Sequence, residues 1–397
     1  MRTALIAALK QTDSGALRAA LPLAGRSVLA RQVDLLRALG CERFLCLCEG
    51  DDGEVLAAQQ AVESAGGTFQ ALRGFLHLPA LVRAEDELVI LTDGLLPDPA
   101  LVTQMLADAP APVRLVGCLP SDSPLVARYP DDFERIDAAR HWAGLLVMRG
   151  APVQQLADFP PDADPISLLL RLALQAGTPC RELPGGTPAP EAWLLATGET
   201  ALATQEQALI TRASGATDWR KPSAALAGLA ARALAPRGLA QGPAVAALGG
   251  SALQLGGIAA AAAGWTATGL LLAACGALAA RLAGTLGAMR RELIGAGAFD
   301  AVLARLGLAV DVLAAAALLF ALSPAGTVAP LAMLGPVLIG LARLTPTIAP
   351  LGVLGDRALL LGLLALAAAF DLLPHAAALA SLVLLGGLLL PKGENRG

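Results

Sequence analysis

The chain has few aromatic residues, 3% of 397, and three histidines, and no cysteine pair of the C-x-x-C type. With so few rings to stack bases and a net charge of −4, it has neither the platform nor the basic field that nucleic acid requires. The six cysteines, at 41, 46, 48, 118, 180 and 275, read as reduced thiols rather than as a disulfide or zinc framework. His77 lies in an apolar stretch without a partner at metal-ligand spacing, so it reads as an ordinary core or surface histidine. The opening "TALIAAL" is too short for a signal peptide and reads as a buried strand.

Apolar sequence is abundant, at 55% of residues, and most of the charge sits in the first 200 positions. Two parts follow. The last 155 or so residues contain long apolar stretches at 243–263, 266–288, 306–323, 327–343, 355–373 and 374–390. A crossing takes about 20 apolar residues, so six spans are expected. Arg232, Arg237, Arg290, Arg291, Arg305, Arg343, Arg357, Lys392 and Arg396 all fall on one side, while the connections near Trp265, Ser323–Thr327 and Pro374 carry no Lys or Arg. The positive-inside rule then expects a bacterial-type inner (plasma) membrane protein with several passes and both termini cytosolic. Ala and Gly dominate "GGSALQLGGIAAAAAG", which favours close helix contact in lipid.

Before the spans, strand-like and helix-like runs alternate, as in an α/β layered domain. Strands are expected at 3–9, 43–48, 87–92, 113–118 and 142–148. Helices are expected at Ser27–Leu39, ending at Gly40, at Gly53–Ala65, and at Pro165–Ala176, capped by Asp164 and closed by Gly177. Residues 184–241 read as a hinge with a helix at Glu199–Arg212. The segment after it places Leu226, Leu229, Ala233 and Leu234 on one face, with Trp219, Arg220 and Lys221 at headgroup level. The expected divisions are 1–198, a linker with an interfacial helix at 199–241, and 242–397. Parallel sheets bind ligands at the carboxyl ends of their strands, which draws attention to the loop "LKQTDSGALRAALPLAGRSVLARQ" and to Asp93 in "LTDGLLPD", where a carboxylate could hold a divalent cation. The alternative for Asp93 is a strand-end turn. Asp137, Arg140 and His141 could line a polyol pocket or form a solvated loop, and Asp162 and Asp164 could serve a cation or cap a helix.

The stretch "LPLAGRSVLARQVDLLRALGCERFLCLCEG" resembles the nucleotidyltransferases of the nucleotide-diphospho-sugar transferase fold. The resemblance implies CTP and Mg²⁺ as ligands, with Gly15, Arg18 and Arg26 at the nucleotide and Asp93 as metal carboxylate. The loop has Gly15 where that family has Gly-x-Gly, and Ala20-Leu21 stand where its Lys beside Pro is expected. The order of parts resembles fusions with a CDP-alcohol phosphatidyltransferase, such as the bifunctional inositol-phosphate cytidylyltransferase and di-inositol-phosphate phosphate synthase. In that motif, "ARLAGTLGAMRREL" matches Gly287 and Arg291, but Ala283, Leu286, Ala304 and Leu308 occupy the four carboxylate positions. Asp300 and Asp311 lie about 16 Å apart along a helix and cannot share one metal. Asp311 and Arg281 are intramembrane candidates, with Arg281 or Arg305 as the expected structural partner of Asp311. Asp356 and Arg357 match a loop feature of the family rather than its catalytic groups.

The implied function is polar head-group, phospholipid or polyol-phosphodiester synthesis, with a nucleotide and a phosphorylated polyol as ligands and a catalytically inactive membrane half. The alternatives are a scaffold or regulator, as a homodimer or paired with a related enzyme, and a carrier of polar lipid intermediates.

Overall fold

The computed structural model describes residues 1–50, 52–184, 192–215, 218–219, 221–295, 299–323, 330–344 and 355–389. These form two compact units, Met1–Glu206 and Gln207–Gly397.

The first unit is built on a seven-stranded sheet. Its strands are β1 (Arg2–Ala8), β2 (Arg43–Cys48), β3 (Thr68–Leu72), β4 (Glu87–Leu91), β6 (Leu115–Pro120), β7 (Arg140–Arg149) and β8 (Cys180–Glu182), while β5 (Leu95–Pro97) and β9 (Trp193–Leu195) form a separate pair. The order is β8-β6-β7-β4-β1-β2-β3. Strands β4, β1, β2 and β3 run parallel. The sheet is mixed, however, because β7 runs antiparallel to both β4 and β6.

Side chains alternate across the sheet, as extended backbone requires. Ala4, Ile6 and Ala8 enter one core layer with helices α1 (Val28–Ala38), α2 (Gly53–Ser64) and α3 (Pro99–Ala107). Leu5 and Ala7 enter the other with α4 (Pro165–Gln175). Because both faces are covered, β1 reads as a continuous apolar run.

The expected helix signals act locally. The Ser27 hydroxyl accepts the Ala30 N–H at 3.2 Å to cap α1, and Gly40, at φ 84°, closes it. Asp164 accepts the Ile166 N–H at 2.9 Å to cap α4. The expected hinge contains structure of its own. Within it, Trp193 of β9 is fully buried and donates its indole N–H to the Ala143 carbonyl at 2.8 Å.

The second unit is helical. After α5 (Glu199–Ser214), inside which the division falls, come α6 (Pro222–Gly238), α7 (Gly242–Ala262), α8 (Thr266–Leu293), α9 (Asp300–Ala321), α10 (Leu334–Leu344), α11 (Arg357–Ala369) and α12 (Leu373–Leu389). Only α7, α8 and α9 among the described residues are long and apolar enough to cross a membrane. The expected six spans are therefore reduced to three on this criterion. The other apolar segments, 330–344, 357–369 and 373–389, are shorter than a crossing of about 20 residues. Parts of the expected fourth and sixth spans, and also Arg220, Lys392 and Arg396, lie outside the described residues. Large apolar side chains such as Val245, Leu248, Leu379 and Leu382 are two-thirds exposed, which suits lipid rather than water. On α6, Ala225, Ala231 and Ala235 are buried while Leu226, Leu229 and Leu234 stay half-exposed.

Helices α7 and α8 touch through their backbones. A Cβ at Gly257 would lie 2.6 Å from the Gly269 carbonyl, and one at Gly269 would lie 2.7 Å from the Ala261 nitrogen. Without a hydrophobic drive between helices, this approach supplies the packing. Gly257→Val and Gly269→Val should each lower the melting temperature of the detergent-solubilised protein by several degrees. Gly249→Ala and Gly256→Ala, where an added Cβ meets nothing within 4 Å, should leave it equal or higher. Equal effects at all four sites would refute backbone contact as the source of this packing.

Candidate functional site

A cavity of about 710 Å³ opens at the carboxyl ends of β1, β2, β3 and β4. Topology puts it there, since parallel strands deliver their following loops to one edge of the sheet. Its lining includes Lys10, Glu49, Arg73, Asp93, Glu134 and Arg171. Asp131, Asp132, Asp162 and Asp164 complete its acidic edge.

Asp93 follows β4 in a turn closed by the Leu95 N–H on the Thr92 carbonyl at 3.2 Å, with Gly94 at φ 79°. Gly94 is needed there for the left-handed backbone, and an added Cβ would also crowd the Ala196 carbonyl at 3.3 Å. The Asp93 side chain is only 3% exposed. Its Oδ2 accepts the backbone N–H groups of Leu9 and Lys10, each at 2.7 Å, so this carboxylate ties the ends of β1 and β4 together. Its Oδ1 is buried and has no hydrogen-bond partner among the described residues. Burial pushes the carboxyl above its usual range, opposed by the Lys10 and Leu9 N–H groups and by the charges of Arg18 and Lys10. Asp93 is thus a strand-end turn residue that also keeps one unsatisfied oxygen at the cavity.

Next to it lies a charge cluster that sequence reading missed. Asp132 Oδ1 accepts Lys10 Nζ at 2.8 Å and a guanidinium N–H of Arg18 at 2.7 Å. Partial burial opposes ionisation of Asp132, but the hydrogen bonds and charges of Lys10 and Arg18 together hold its carboxyl below the ordinary value. Of its members only Arg18 is singled out in the sequence; the other local signals are a lysine two residues after β1 and the Asp131-Asp132 pair. Neither indicates its partner, more than 100 residues away.

Of the expected nucleotide residues only Asp93 lines the cavity; Arg18 reaches Asp132 but is not in the lining, and Gly15 and Arg26 stand apart. Gly15, at φ 81°, sits in an exposed turn whose N–H bonds to the Thr12 carbonyl at 2.9 Å. That hairpin closes on itself rather than forming a phosphate cradle. Arg26 pairs with Asp34 of α1. Asp137 engages the Arg140 guanidinium at 2.6 and 2.9 Å, forming a self-contained turn that leaves Asp137, Arg140 and His141 outside the cavity lining. His77 is exposed.

No group of three or more His, Cys, Asp or Glu residues among those described is arranged to hold a metal. A Mg²⁺ ion keeps several waters and takes one or two carboxylates plus substrate phosphates. The orphaned Asp93 oxygen fits that more modest requirement.

In the helical unit, Ala283 and Leu286, at two of the motif's carboxylate positions, are packed in the interior, and a Cβ on Gly287 would run into Leu303. Arg291 and Arg290 pair with Asp300 at 3.4 and 2.7 Å. Asp311 does have basic partners, but they are Arg357, through two N–H groups, and Arg343 at 3.6 Å. This replaces the expected pairing with Arg281 or Arg305, because α10 and α11 bring their ends to α9. Arg357 is accordingly more than a loop feature, since it neutralises a buried carboxylate.

Asp132 should contribute stability that is present above the ordinary carboxylate range and lost as pH falls through its lowered value. Asp132→Asn should destabilise the protein most at pH 6–7, and the gap to wild type should shrink below about pH 4. Denaturation followed through Trp142 and Trp193 fluorescence checks this. A gap that does not vary with pH would rule it out.

No protein-family model and no curated protein matches the chain. Among solved structures, it is similar to the inositol-1-phosphate CTP transferase from T. maritima, at 15% identity and TM-score 0.37, over 52% of this chain and 96% of that one. It is also similar to a Bacillus anthracis protein described as a glucose-1-phosphate thymidylyltransferase, in complex with a sucrose, at 10% identity and TM-score 0.39, over 52% of this chain and 94% of that one.

Proposed function

We propose that the chain is a membrane protein whose α/β unit binds CTP or a related nucleoside triphosphate with Mg²⁺, together with a phosphorylated polyol, in the strand-end cavity. In this reading it is of the nucleotidyltransferase and CDP-alcohol phosphatidyltransferase fusion type, with a helical unit that transfers nothing. The observation that supports the reading is Asp93, a residue of the cavity lining whose buried Oδ1 has no partner among the described residues. An uncompensated carboxylate oxygen costs folding free energy, and a cation neutralised by phosphate oxygens would offset that cost.

The chain's own residues have separable roles. Asp93 would hold the metal, which supplies charge neutralisation to the phosphates when bound. Lys10, positioned by Asp132, would present a point charge to a phosphate, and Arg73 and Arg171 on the cavity wall suit a second anionic ligand. The loop lacks the family's Gly-x-Gly and its lysine, and loss of one such electrostatic group costs about 10²- to 10³-fold in rate. Binding is therefore expected to outlast turnover.

The helical unit is read as silent because the motif's four acidic positions are Ala283, Leu286, Ala304 and Leu308, two of them packed shut. Without that quartet, no group of three acidic, His or Cys residues among those described is placed to hold a metal pair against a pyrophosphate. This same observation favours the second reading, a scaffold or regulator acting as a homodimer or beside an active relative. In both readings the protein lies in the inner membrane with its termini cytosolic and α6 in the interface.

Calorimetry on the purified full-length protein should detect CTP binding that strengthens with Mg²⁺. Asp93→Asn keeps an acceptor for Leu9 and Lys10 and removes a charge whose ionisation burial disfavours. It should fold with unchanged or higher stability at pH 7, yet lose the Mg²⁺-dependent part of binding by at least about tenfold. Asp93→Ala should instead destabilise, by about 1–3 kcal/mol for each N–H left unpaired. No CTP binding in the wild-type protein would favour the scaffold, and unchanged binding in Asp93→Asn would remove Asp93 from the site.

A further inference from the structure

A second cavity, of about 680 Å³, lies wholly within the helical unit. Chain connectivity places it at one end of the bundle. The C-terminal half of α8, the N-terminal half of α9, the end of α10 and the start of α11 line it, and these segments meet on the same side.

Among the described residues its charged lining is three arginines, Arg281, Arg343 and Arg357, against two carboxylates, Asp311 and Asp356. Both carboxylates are 7% exposed and already engaged. Asp311 accepts two N–H groups of Arg357 and lies 3.6 Å from Arg343, while Asp356 accepts the Ser223 backbone N–H at 2.9 Å. Donor capacity is left over. Arg281 has no hydrogen bond or ion pair from its guanidinium among the described residues, and the Arg343 side chain is 53% exposed beside its long contact. An excess of guanidinium N–H groups over acceptors, in a cavity with apolar walls, selects an oxyanion.

The walls narrow the ligand class further. Ala277, Ala280, Leu303 and Leu306 form an apolar flank between α8 and α9, continuous with the arginine end. A phosphate ester with an apolar remainder satisfies both parts at once. The geometry points to a binding site for the phosphate group of an amphiphile, held by Arg281 and Arg343 directly and without a divalent cation. Asp311 holds Arg357 and Arg343 in place and sets how much positive charge the cavity shows. The inference rests on the helical unit alone, so failure of CTP binding would leave it standing.

The test uses the full-length protein in a neutral maltoside detergent with EDTA throughout. The probes are dioctanoyl phosphatidic acid, dioctanoylglycerol and glycerol 3-phosphate, followed by calorimetry. Saturable, EDTA-resistant binding of phosphatidic acid without binding of dioctanoylglycerol is expected. Binding of glycerol 3-phosphate with equal affinity would keep the phosphate site and assign it to a soluble ester. Arg281→Gln, which breaks no existing contact, should weaken phosphatidic acid binding at least tenfold with the melting temperature unchanged. Asp311→Asn, which releases two arginines, should tighten it in protein that remains folded, whereas a purely structural Asp311 would weaken it or leave it unmoved. Equal binding of dioctanoylglycerol, abolition by EDTA, or unaltered binding in Arg281→Gln would each overturn the proposal.

Discussion

Leu9 and Lys10 donate their backbone N–H groups to one oxygen of Asp93, and this pair of bonds holds the ends of β1 and β4 together where the cavity opens. The carboxylate that makes them lies in the interior, where an unpaired charge is expensive. Its satisfied oxygen fixes the direction in which the chain leaves β1. That direction brings Lys10 and Arg18 to Asp132, where two cations share one carboxylate oxygen. Its second oxygen has no donor among the described residues.

The helical unit meets the same constraint differently. Asp311 is as enclosed as a core residue, and two arginines from later helices neutralise it. The α8–α9 contact is apolar, with Ala283 and Leu286 inside and Leu303 over Gly287. Where a metal-binding site would concentrate carboxylates, the described residues of this cavity include three guanidinium groups. Backbone contact at Gly257 and Gly269 keeps α7 tight against α8, leaving the looser seam between α8 and α9 as the wall of the cavity.

Much of the α/β unit is legible locally. Strands β1, β2 and β4 and helices α1, α2 and α4 follow from apolar runs and helical spacing, and their ends from Ser27, Gly40, Asp164 and Gly177. Strands β3, β8 and β9 are short or only partly buried, so no apolar run marks them. The antiparallel course of β7 is equally hidden, because a strand covered on both faces reads the same in either direction. For the site, Asp93 stands out by its position after a strand, whereas Gly15 and Arg26 resemble phosphate ligands only along the chain. The six apolar stretches are evident, but hydropathy cannot show where a helix stops, and three of the resulting helices are short.

By itself, the sequence determined that the chain has a charged α/β part and an apolar helical part, where most regular elements begin, and that Ala283, Leu286, Ala304 and Leu308 stand where the motif it resembles would have acidic residues. Composition, periodicity and capping are properties of neighbouring residues, so they can be read without a fold. Only the tertiary structure decided that Lys10 and Arg18 share Asp132, that Arg357 and Arg343 neutralise Asp311, and that Arg281 lies at a cavity wall with no guanidinium partner among the described residues. Electrostatic partners are chosen by distance in space, and a charge more than 100 residues away is indistinguishable in the chain from one that never comes near.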